Sequence, residues 1–150
     1  MKTLFEKETC DELFVRLGNV RPECQRQWRK MSPSQMMEHT ARVLEMATSD
    51  DQPLKQIFLG KSLGWIFKKG FLGEKPFGKN APTGPDYVIK DEPELEPTRE
   101  RLKEMITKFH SLGPASLDGN VHPFFGPLTG KQWGETQYKH VDHHLRQFGL

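Results

Sequence analysis

Along the chain, apolar side chains recur at three- and four-residue intervals in five stretches, and prolines and glycines stand between them. Such spacing lines one side of an α-helix, where successive residues turn by about 100°. The first predicted helix covers roughly Glu6 to Leu17, with Leu4, Leu13, Phe14 and Leu17 at helical intervals and Gly18 and Asn19 as its stop. The second opens on "SPSQ": Ser32 can cap, Pro33 suits the first helical position, and Gln35 sits three after the cap. It runs to about Ser49, where "SDDQP" ends it. Met36, His39, Thr40, Val43 and Ala47 share one side, so His39 points where the apolar residues point, toward a core.

The third stretch, about Leu54 to Lys69, carries Ile57, Phe58, Leu59, Leu63, Trp65, Ile66 and Phe67, and Gly60 and Gly64 weaken it as a helix. A long connection follows, "GEKPFGKNAPTGPDYVIKDEP", with prolines at 76, 82, 85 and 93 that no single regular element accommodates. A connection of this length is either functional or disordered, and "DYVI" within it reads as a short extended piece. The fourth stretch, about Glu94 to Leu112, has acids early and Arg99, Arg101, Lys103 and Lys108 later, the order a helix dipole favours. Leu102, Met105, Ile106 and Phe109 form its buried stripe, and Gly113 and Pro114 end it. After "HPFFGPL" the last helix starts at "TGKQ", a second capping box of Thr129 and Gln132, and continues to about Phe148. Four longer amphipathic helices in residues 1–150, one domain, predict an all-α helical bundle with a long irregular connection between the third and fourth blocks.

The totals narrow the classes. With 35% hydrophobic and 28% charged residues, the 150-residue chain suits a soluble globular domain. No apolar run reaches about 18 residues, so no membrane span is expected. The nearest candidate, Ile57 to Leu72, is cut by Lys61, Lys68 and Lys69. "MKTLFEKETCDELF" carries charge too early for a signal peptide, which points to the cytoplasm. Cys10 and Cys24 match neither a redox pair nor a zinc ribbon and are expected as reduced thiols. Net charge is only +2, but Lys55 to Lys79 holds six lysines against one acid, Glu74. That segment is either a solvated loop or an attractor for phosphate, carboxylate or an anionic partner. Its aromatics Phe58, Trp65 and Phe67 suit a core better than base stacking, so no nucleic acid is expected.

Candidate chemistry lies in the histidines. Three of the six fall within "YKHVDHHLRQF". On a helix, Trp133, Gln137, His140, His144 and Phe148 occupy a sector of roughly 80°. His140 and His144 therefore leave one face a turn apart, a spacing that brings two imidazole nitrogens to a metal at about 2.0–2.1 Å with little reorganisation. His143 points about 100° away, to the surface or behind the site. His39, on the core side of another helix, is the best third ligand. Three neutral imidazoles would leave a position open for water or substrate. Glu135 and Asp142 face away from His140 and are not expected as ligands. The residues equally allow a plain core histidine at 39 and a chance pair on the last helix.

The segments "W…MSPSQMMEH" (Trp28 to His39), "FGKNAPTGP" (Phe77 to Pro85), "HPFFGPLTGKQW" (His122 to Trp133) and "HVDHHLRQFG" (His140 to Gly149) resemble an uncharacterised, mostly bacterial branch of the DinB/YfiT-like superfamily. The resemblance covers most of the chain. It implies a four-helix bundle with a divalent-metal site whose ligands fall on His39, His140 and His144. Members of known activity are similar to metal-dependent transferases and isomerases that use a low-molecular-weight thiol.

The expectation that follows is a metal-dependent enzyme. Zinc or nickel would acidify a thiol or water to attack a small electrophilic substrate, with a low-molecular-weight thiol as a candidate co-substrate. Two alternatives stand beside it: a non-catalytic metal- or small-molecule-binding protein of the stress-related kind, and an interaction module whose histidines finish a core. His122 either approaches the open side of the metal or forms a His-Pro turn, with Phe124 and Phe125 anchoring the loop. Gln147 either holds an imidazole tautomer or sits exposed at a helix end. A homodimer is a mild expectation.

Overall fold

The computed structural model describes residues 1–50, 55–79 and 83–150, and at 59, 63 and 65 the backbone alone. The expected start of the third helix at Leu54, the 80–82 part of the connection and the side chains of Leu59, Leu63 and Trp65 lie outside the described residues.

The fold is mostly helical: α1 (Lys7–Gly18), α2 (Pro33–Ala47), α3 (Phe58–Leu72), α4 (Leu95–Ser116) and α5 (Gly130–Arg146), with a 3-10 turn at Pro85–Tyr87. A two-rung antiparallel hairpin, β1 (Val121–His122) and β2 (Gly126–Pro127), stands between α4 and α5. Both anticipated capping boxes form. Ser32 and Thr129 each accept the N–H of the residue three later, and Gln35 and Gln132 each reach back to the cap N–H. These reciprocal bonds satisfy helix donors that would otherwise lack partners, so the two helices that carry the histidines begin at fixed points.

α2 packs on α4, and α5 closes against α1, α2 and α4. The shared interior holds Leu13 and Leu17 of α1, Met36, Met37 and Leu44 of α2, Leu102, Ile106 and Phe109 of α4, and Trp133, Val141 and Leu145 of α5. Leu4 reaches the same core from the N-terminal segment. At roughly 25 cal/mol per Å² of apolar surface buried, side chains of this size supply the main stabilising term.

Two expectations are corrected. "DYVI" is not extended throughout: Pro85 sets the φ for a 3-10 turn that takes in Asp86 and Tyr87, and Val88, itself extended, closes it by donating to the Pro85 carbonyl at 3.2 Å. The fourth helix has its expected break after Leu112. Gly113 leaves helical geometry at φ 70°, ψ 166°, and Pro114 then starts one more turn to Ser116. The third helix does not place Phe58 and Phe67 in the core, since they are 87% and 55% exposed. Its inner face is the glycine pair instead. A Cβ at Gly60 or Gly64 would fall 2.5 or 2.2 Å from the Phe124 carbonyl oxygen, so α3 meets the hairpin loop backbone to backbone. No helix among the described residues is long and apolar enough to cross a membrane.

Candidate metal centre

The long connection returns along α2. Ser32 and Ser34 donate to the Glu92 carboxylate at 2.5 and 2.6 Å, and the Gln35 side chain donates to the Asp91 carbonyl at 3.0 Å. This fastening leaves the Tyr87 carbonyl beside α2, where it meets Nδ1 of His39 at 2.9 Å. A carbonyl only accepts, so His39 carries its proton on Nδ1 and turns the Nε2 lone pair inward. On α5, Nδ1 of His144 lies 3.0 Å from Oε1 of Gln147. The amide nitrogen of Gln147 donates to the Trp28 carbonyl at 2.9 Å, which fixes the amide's orientation. His144 therefore also holds its proton on Nδ1, with Nε2 free to ligate.

His140 completes the group. Its Nε2 stands 3.2 Å from Nε2 of His39. Two nitrogens bound to one tetrahedral zinc at about 2.0–2.1 Å would be roughly 3.3 Å apart. One ligand nitrogen from each of His39, His140 and His144 lies within 4.8 Å of the others, close enough to hold a metal ion. His39 and His144 are buried, while His140 keeps part of its surface toward solvent.

The protons of His140 test the fit of such an ion. If its proton is on Nε2, it donates to His39, and a bare lone pair remains at Nδ1, which is buried without a partner. If the proton is on Nδ1, two lone pairs face each other at 3.2 Å. The first arrangement strands an interior acceptor, at a cost of about 1–3 kcal/mol; in the second the facing lone pairs repel. A cation between the two Nε2 atoms removes the repulsion. The remaining Nδ1–H then suits an acceptor, and Oε1 of Gln137, three residues earlier on α5, is likewise buried without a partner among the described residues.

Electrostatics favour neutral imidazoles. Burial lowers the pKa of His39, and it lowers that of His144 to about 3, assisted by the neighbouring His39. Burial, with His144 and His39 adding, holds His140 well below the usual range. Protons therefore do not compete for these lone pairs at neutral pH.

The other candidate residues take different places. Glu135 pairs with Lys131, and Asp142 with Arg16 and Arg146, away from the three rings. His143 packs against Trp28 and Phe77. His122 forms the turn: its Nδ1 accepts the N–H groups of Phe124 and Phe125 at 3.1 and 3.2 Å. Gln147 is fully buried, so its exposed reading is corrected, and the tether to His144 is what the structure contains. The sequence pattern assigned no role to the Tyr87 carbonyl or to Gln137. Only Gln137 carried a signal, by falling in the same sector of α5 as His140 and His144.

No curated protein and no solved structure matches the chain. A family does, over residues 6–149, from the start of α1 through the end of α5. The chain with its three converging histidines belongs to that family, described as "Protein of unknown function (DUF1569)".

Proposed function

We propose that His39, His140 and His144 hold a divalent transition metal, zinc or nickel, in a bundle of the DinB/YfiT-like type, and that the protein is a metal-dependent enzyme acting on a small electrophilic substrate. The observation that carries this reading is the approach of the His39 and His140 Nε2 atoms to 3.2 Å, with His144 presenting a third lone pair. A metal so bound supplies Lewis acidity, lowering the pKa of a coordinated water or thiol toward neutrality. The chain's own part is positional. The Tyr87 carbonyl and Gln147 hold two rings in the ligating tautomer, burial keeps all three neutral, and the partial exposure of His140 leaves a route for substrate.

One observation favours a second reading, a binding protein without turnover. Among the described residues, Glu135 and Asp142 of α5 are paired with Lys131, Arg16 and Arg146, so neither stands as a general base of the usual kind.

Metal analysis of protein purified without a histidine tag tests the core of the proposal. Near-stoichiometric zinc or nickel is expected in the wild type and its loss in His39→Ala, His140→Ala and His144→Ala. Metal-free wild type that takes up neither ion on dialysis sinks both readings. Metal-dependent consumption of a thiol with an electrophile panel separates enzyme from binding protein.

A further inference from the structure

α3 is built inside out. Its smallest residues face the protein, where a Cβ at Gly60 or Gly64 would meet the Phe124 carbonyl oxygen at 2.5 or 2.2 Å. Polar groups fasten it there. The Ile57 N–H donates to the Pro123 carbonyl at 2.9 Å, the Gln56 amide to the Phe124 carbonyl at 3.0 Å, and Lys68 Nζ to the Pro127 carbonyl at 2.7 Å. The large apolar side chains are left outside: Ile57 is 50%, Ile66 51%, Phe67 55% and Phe58 87% exposed. Half of the exposed large hydrophobic residues among the described residues thus stand between positions 57 and 67.

At about 100° per residue, Phe58 and Ile66 lie within roughly 80° of each other and opposite the glycine pair. Phe67 stands at the border of this sector, its ring centroid 6.4 Å from that of Phe124. Lys69 falls between Phe58 and Ile66, and Lys61 falls beside Phe58; both are exposed. Lys55 and Lys75, exposed as well, extend the charge beyond either end of α3. Across positions 55 to 79 six lysines meet one acid, Glu74. Exposed apolar surface rimmed by charge of one sign marks an interaction site.

We propose that this side of α3 rests on an anionic lipid surface, with Phe58 and Ile66 entering the acyl boundary and the lysines meeting lipid headgroups. Two properties of the face select that occupant. Its charge is of one sign, so a second copy docked about a two-fold axis would set lysines against lysines. Its apolar part projects, and a fluid acyl phase takes in a ring as exposed as Phe58 without a matching pocket. The 15-residue helix satisfies its own backbone at such a boundary and lies on the surface rather than crossing it.

The test mixes the full chain with vesicles of phosphatidylcholine, or of phosphatidylcholine with phosphatidylglycerol, and separates bound protein by flotation. Binding to the anionic vesicles is expected, with little on the neutral ones, and added salt should weaken it. Phe58→Ser should weaken it about tenfold, with the melting temperature unchanged because so exposed a ring supports little of the fold. Lys61→Gln combined with Lys69→Gln should also weaken it and flatten its salt dependence. Protein that does not float with anionic vesicles, or binding that Phe58→Ser leaves intact, overturns the proposal. So does a dimer that Phe58→Ser dissociates in protein that does not float, which would give this face to a second copy.

Discussion

At the scale of single residues, Gln147 and His122 decide most. Gln147 joins His144 to the Trp28 carbonyl, so replacing it by leucine removes an acceptor on one side and a donor on the other. Gln147→Leu should lower metal affinity by about 10–100-fold, measured by competition with a chromophoric chelator; an unchanged constant would mean that the amide does not set the tautomer. His122 makes a pH prediction. Burial, with Lys68 of α3 adding, lowers its pKa from 6.5 to about 4. Between those values the unfolded chain binds a proton that the folded chain refuses, so stability falls as pH drops from about 6.5 toward 4. Protonation at Nδ1 would also displace the Phe124 and Phe125 N–H donors. In metal-free protein this one group contributes a slope of up to about 1.4 kcal/mol per pH unit. Denaturant unfolding of His122→Asn, which keeps an acceptor near the same place, should show that part of the slope removed. Neither role could be read with certainty from the sequence. Gln147 needs a carbonyl 119 positions away, and a His-Pro dipeptide does not say where its ring nitrogen points.

Elements were legible where their signals are local. The boxes at Ser32 and Thr129 lie within four residues each, and α2 and α5 begin there. α3 was harder, because what organises it is a contact with the loop at Phe124, some sixty positions on. Glycines that lower helix propensity are here the docking face, and Phe58 and Phe67 turn outward instead. The helix end is fastened as well: the Phe71 and Gly73 carbonyls accept from Lys139 at 2.9 and 2.7 Å, one residue before His140. Two alanine substitutions should therefore differ in sign. Gly64→Ala puts a methyl 2.2 Å from the Phe124 oxygen and should destabilise by about 1–3 kcal/mol. Gly70→Ala meets nothing within 4 Å and should stabilise by about 0.4–1 kcal/mol. Equal effects in chemical denaturation would show that α3 does not rest on that backbone contact.

For the whole molecule, the candidate centre is a question of which distant segments the core brings together. The pair on α5 was readable from its spacing. Its partner on α2 was readable only as a histidine on an apolar side, because the approach of His39 to His140 spans 101 positions and depends on α2 and α5 closing on each other. The third contributor, the Tyr87 carbonyl, arrives from a connection whose course no periodicity describes. An ion held by these groups would link the second helix to the last and bind the folded chain alone, since the unfolded chain has no preformed site. Linkage then fixes the size of the effect: at free metal about 100 times Kd, folding gains about 2.7 kcal/mol. For a chain of this length each kcal/mol is worth about 2–4 °C in Tm, so zinc or nickel should raise the wild-type melting temperature by roughly 5–11 °C, and a chelator should reverse it. His140→Ala removes the ligand that faces His39 and should melt at one temperature with or without metal. A rise that persists in that variant would place the binding elsewhere on the chain, and with it the reason for reading α2 and α5 as two halves of one site would be lost.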